Sequence, residues 1–112
     1  SAGVRTHMMV AIGAALFVLI PQQAGASQAD LSRVLQGLTA GVGFLGAGAI
    51  ILGNKELETR GLTTAAGIWV TAAIGVAAGM GRESTALLST AIALFVLSVI
   101  PLIYRAKGKD TE

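Results

Sequence analysis

The sequence predicts an all-α fold: a polytopic membrane protein whose four transmembrane helices form a bundle packed through Gly/Ala faces. Three observations lead there. Hydrophobic residues make up 54% of the 112-residue chain and charged residues only 12%, against about 25% charged in a soluble domain. A chain this small has too little interior to hide so much apolar surface from water. The charges also fall in islands, at Arg5, Asp30–Arg33, Lys55–Arg60, Arg82–Glu83 and Arg105–Glu112. The uncharged runs between them are Thr6–Ala29, Val34–Asn54, Gly61–Gly81 and Ser84–Tyr104. The last three are close to the roughly 20 residues that cross a bilayer core. Finally, no run alternates with a period of two, so strands are not expected. Helices satisfy their own backbone groups, as lipid requires.

Residues 1–112 read as a single transmembrane domain with helices at about 6–20, 31–52, 62–80 and 85–104. The first is the shortest: its solidly apolar part, Met8–Ile20, stops at Pro21-Gln22-Gln23. A signal-peptide core is the alternative for that segment, but three further spans follow it. The second helix opens on Ser27-x-x-Asp30, the pattern of a capping box. Asp30 also suits the positive end of the helix dipole. Gly53 and Gly81 stand where C-terminal caps belong. Glu83 or Ser84 opens the fourth helix, and Pro101 should bend or loosen its last turn.

Orientation follows from the basic residues. Arg5, Lys55, Arg60, Arg105, Lys107 and Lys109 lie on one side, and Arg33 and Arg82 on the other. The positive-inside rule places the richer side, with the C-terminus, in the cytoplasm.

Gly41-Val-Gly43-Phe-Leu-Gly46 fits the G-x-G-x-x-G pattern of a dinucleotide loop. Its context does not. A Rossmann unit needs a preceding strand and an acid about 20 residues on, whereas Val34–Asn54 is uncharged and Glu56 and Glu58 come too early. Helix packing accounts for the glycines better. At 100° per residue, Gly37, Gly41 and Gly48 share a narrow arc, with Ala40, Gly43 and Ala47 beside them; Gly46 belongs to the same run. In the third helix Gly67 and Gly75 share a face with Thr64, Thr71 and Ala78, and Gly75-x-x-x-Gly79 is a further small pair. Small residues allow the close backbone approach that joins helices in lipid. On this reading Gly41→Leu should disrupt folding. The minority reading is a glycine-broken helix that binds an ion midway.

No ionisable side chain lies deep in a span, although such groups are the usual mark of ion coupling. In-span hydroxyls such as Thr39, Thr71 and Thr90 are expected to bond to the carbonyl four residues back. Gln36 is expected to bond across to another helix or to sit near an interface, and Trp69, too deep in its span for an interface belt, to be a packing residue. Arg5, Thr6 and His7 begin one helix, and Arg60, Thr63 and Thr64 begin another at the same surface. Two helix N-termini and two arginines there would anchor an acidic group from the protein, a partner or a lipid; alternatively, the arginines only fix topology. A lone His7 lacks partner ligands for a metal. No catalytic residue, cofactor site or metal site is expected, and no aromatic-interleaved basic patch suggests nucleic acid.

The segments GVRTHMMVAIGAALFVL (3–19), GVGFLGAGAII (41–51) and RGLTTAAGIWVTAAIGVAAGMG (60–81) resemble the signatures of the MgtC/SapB membrane proteins, and the likeness runs from Gly3 to about Tyr104. The resemblance implies a multi-pass protein of the bacterial inner membrane. Members typically have one more helix before the Arg-Thr motif, with an acid near its end. That acid is then the implied partner of Arg5 and Arg60. The chain resembles a short form without that helix and without the cytoplasmic domain of longer members. Well-known members are associated with growth at low magnesium and survival in phagocytes; some are reported to restrain the F-type ATP synthase. Val70 stands where members often carry Cys, and Gln36 is shifted by one position, with Gly37 in its place. The function implied is a non-enzymatic regulator linked to magnesium limitation or stress adaptation. Its partners are the lipid bilayer and another membrane complex or further copies of itself. The alternative is a transporter or channel for magnesium or another small solute.

Overall fold

The computed structural model describes residues 3–51 and 58–110. All four regular elements there are helices: α1 (Val4–Gln23), α2 (Gln28–Ile51), α3 (Glu58–Gly79) and α4 (Glu83–Asp110). They hold 20, 24, 22 and 28 residues. At about 1.5 Å per residue, each spans the roughly 30 Å hydrocarbon core of a bilayer. All four contain a stretch long and apolar enough to cross a membrane.

The helices run past the expected ends. α1 includes Pro21 and stops at Gln23. A proline in the last turn removes one ladder bond and breaks nothing beyond it. The helix is capped two residues after Gln23 by Gly25, whose φ is +83°. There the Gly25 N–H donates to Gln22 O at 3.1 Å and the Ala26 N–H to Pro21 O at 3.0 Å. This is a Schellman cap. Gly81, with φ +73°, ends α3 the same way: its N–H donates to Ala78 O at 3.1 Å, and the Arg82 N–H to Ala77 O at 2.8 Å. α4 continues through Pro101 and past Tyr104 to Asp110. Gly53 lies outside the described residues.

The start of α2 matches its capping-box pattern. The Asp30 N–H donates to Ser27 Oγ at 3.1 Å, and the Ser27 N–H donates to Asp30 Oδ2 at 3.3 Å. The in-span hydroxyls also bond backwards as expected. Thr39 donates to Leu35 O at 3.0 Å, Thr71 to Gly67 O at 2.7 Å and Thr90 to Ala86 O at 2.7 Å.

α3 is the hub. It packs against α1, α2 and α4, whereas α4 touches α3 alone among the described residues. The buried cluster is small: Ala14 of α1, Val42 of α2, and Ile68 and Ala72 of α3, with Val10, Leu38, Ala49 and Val76 packed round it. Large apolar side chains point outward instead, Phe44 at 81% exposure and Leu87 at 73%. In water such a surface would aggregate; in lipid it is the solvated face. Trp69 packs only in part: it is 57% exposed, because it sits on the outward side of α3. There it borders a shallow apolar hollow of about 160 Å³ against Leu38 and Val42.

Candidate functional site

α1 and α3 run parallel and almost touch backbone to backbone. A Cβ on Gly75 would meet the Ala11 carbonyl and lie 3.0 Å from Ala11 Cα. A Cβ on Gly79 would meet the Ala15 carbonyl and stand 2.6 Å from Val18 Cγ2. Any larger residue therefore forces the helices apart. One turn beyond, Gln22 Nε2 donates to Val18 O at 2.8 Å and across to Gly79 O at 3.1 Å. The second bond reaches Gly79 O, the last carbonyl of α3, which has no partner within its own helix.

α3 meets α2 through two other small residues. A Cβ on Gly46 would lie 3.3 Å from Ala65 Cβ, and one on Gly61 3.4 Å from Ile50 Cα. Gly67 faces His7, whose Nε2 would be 3.5 Å from an added Cβ. The remaining α2 glycines behave differently: Gly37, Gly41, Gly43 and Gly48 have nothing within 4 Å of a built Cβ. No helix of this chain covers them. The reason is geometric, since α2 turns the face carrying Val42 and Gly46 toward α3. At Gly41 the described residues show no close contact of the kind on which the expectation that Gly41→Leu disrupts folding rests. Sequence reasoning also missed Gly61 and Gln22. Gly61 sits at the edge of its span, and Gln22 belongs to the polar run that ends the first apolar stretch.

The polar cluster is divided by α1. Arg5 and Thr6 stand at one end of an open groove between α1 and α2. His7 points the other way, half-buried against α3. Its Nδ1 lies 2.9 Å from Gly3 O; a carbonyl only accepts, so Nδ1 carries the proton. Thr63 is exposed and Thr64 half-buried near the start of α3. The Arg60 side chain lies outside the described residues. Gln36 is exposed, so the amide that bonds between helices is that of Gln22.

The groove beside Arg5 encloses about 560 Å³. Its floor comprises Gly13 and Ala14 of α1 with Gly41 and Val42 of α2, and Met9 and Phe17 form part of its walls. It exists because α1 and α2 both lean on α3 and meet each other only lightly. Among the described residues, no three His, Cys, Asp or Glu side chains group as metal ligands, and no buried side-chain nitrogen or oxygen lacks a partner.

Four apolar spans around a glycine-mediated contact define a multi-pass helical membrane protein. The chain belongs to the MgtC family, whose model matches residues 1–106. It is 44% identical over 108 residues to the SrpB protein of Synechococcus elongatus, an overlap covering 87% of this chain and 59% of that one. It is 38% identical over 117 residues to YhiD of Escherichia coli K12, whose name carries a provisional magnesium-transporter label; the overlap covers 97% of this chain and 54% of YhiD. The MgtC protein of Salmonella typhimurium is 42% identical over 93 residues, covering 83% of this chain and 38% of that protein. The chain thus spans little more than half the length of the first two relatives. No solved structure matches it.

Proposed function

We propose that the chain is the membrane-embedded unit of a bacterial inner-membrane regulator linked to magnesium limitation or stress adaptation, acting without catalysis through contacts with other membrane proteins or further copies of itself. The observation that carries this reading is the described interior of the bundle. It is apolar, with Gly75 and Gly79 pressed on the α1 backbone and no buried polar or charged residue among those described. A hydrated divalent cation needs oxygen ligands or water along its path. Among the described residues, the groove between α1 and α2 is lined by apolar side chains and glycine except for Arg5 and Thr6. The outward apolar faces of α2 and α4 supply surface for partner helices. The Lys and Arg distribution supports a cytoplasmic C-terminus.

Magnesium transport is the second reading, favoured by the label on the YhiD relative. The test is reconstitution in liposomes loaded with a magnesium-sensitive dye, run beside crosslinking in native membranes. The regulator reading expects no flux above protein-free liposomes and a specific crosslinked partner. Saturable magnesium entry would replace it with the transport reading.

A further inference from the structure

We propose that the α1–α2 groove is a binding site for an anionic phospholipid, with one acyl chain lying along the groove and the phosphate held at Arg5. The inference stands whether the protein regulates or transports.

The length of the groove suits an acyl chain. Along α1 the lining runs from Arg5 to Phe17, about 18 Å at 1.5 Å per residue. The groove is open along its length and holds about 560 Å³, room for an extended acyl chain whose carbons pack at about 4 Å. Gly13 and Gly41 make the floor smooth by leaving out side chains, and Met9 is an adaptable wall.

The charge completes the match. Among the described residues, Arg5 is the only charged one of the lining, and it stands at one end with Thr6. Guanidinium binds phosphate oxygens bidentately. Arg5 belongs to the first turn of α1, where the N-cap Gly3 offers no side-chain bond, so unpaired N–H groups face the same region. The acids with described side chains, Asp30 and Glu83, open α2 and α4, at the opposite end of the bundle. A positive end and an apolar trough form the complement of an anionic lipid.

The test uses the protein in phosphatidylcholine vesicles containing phosphatidylglycerol with a photoactivatable group midway along one acyl chain. Adducts mapped by mass spectrometry should concentrate on Met9, Phe17 and Leu45 over the comparably exposed Leu94 and Leu97 of α4. Unlabelled phosphatidylglycerol should displace them and phosphatidylcholine should not. Arg5→Gln should lower them about fivefold, the discrimination one arginine supplies at an anionic surface, and Arg5→Lys should keep most of them. Gly41→Leu should abolish them with Arg5 intact; the site has room, so the fold survives. Adducts spread evenly over α4, or unchanged by Arg5→Gln, would overturn the proposal. So would spontaneous disulfides between copies of Gly41→Cys, which would mean that a second chain covers the groove.

Discussion

Gln22 Nε2 of α1 lies 3.1 Å from Gly79 O of α3 and donates to it, while holding Val18 O at 2.8 Å. One amide therefore binds the last turns of two parallel helices just where Gly79 lets their backbones meet. Gln22→Leu keeps the bulk and removes both bonds. A hydrogen bond between membrane helices contributes about 0.6–1.5 kcal/mol. The variant should lose about that much, read as a lower midpoint in denaturing-detergent titration, without loss of helicity.

Gly75→Val and Gly79→Val should be far more damaging. Each puts carbon onto the carbonyl of Ala11 or Ala15, and backbone cannot step aside as a side-chain tip can. Overpacking costs about 1–3 kcal/mol or more. In contrast, Gly37→Ala and Gly43→Ala meet open space and should be neutral or slightly stabilising, by up to about 1 kcal/mol from helix propensity. Equal losses across the four variants would refute this division of the glycines.

That division marks where sequence reading stops. Apolar runs and charge islands locate four spans, because lipid exposure is a property of composition. The capping box at Ser27 and Asp30 is likewise local and legible. Which glycine face meets a neighbour depends on helix rotation, which no local signal encodes. The arc of Gly37, Gly41 and Gly48 reads from sequence like a packing face, yet Gly46 is the α2 glycine set against Ala65. The same rotation turns Trp69 outward and sends Arg5 and His7 to opposite sides of α1. Adjacent residues on a helix point about 100° apart, and residues two apart about 200°, so a cluster in sequence need not be one in space.

The two positive-φ glycines offer a cleaner test of backbone chemistry. Gly25 at +83° and Gly81 at +73° each let a helix end and the chain turn back. Open space surrounds both, so any cost of Gly25→Ala or Gly81→Ala comes from the left-handed conformation alone. That cost is about 1–2 kcal/mol per residue. Asn at either position should recover part of it, since Asn tolerates this region better than Ala. A thermal-unfolding series of Gly, Asn and Ala in one detergent should rank in that order.

The proposed orientation is open to a direct measurement, because the chain contains no cysteine and single thiols can be introduced without background. Ala26 lies in the α1–α2 turn and Ala106 near the end of α4, on opposite sides of the bundle. With six basic residues on one side and Arg33 and Arg82 on the other, the positive-inside rule puts Ala106 in the cytoplasm. A membrane-impermeant thiol reagent added to intact spheroplasts should therefore label Ala26→Cys and spare Ala106→Cys until the membrane is opened. Labelling of Ala106→Cys alone would invert the topology. Arg5 would then face outward, and the regulator reading would have to look for its partner on that side.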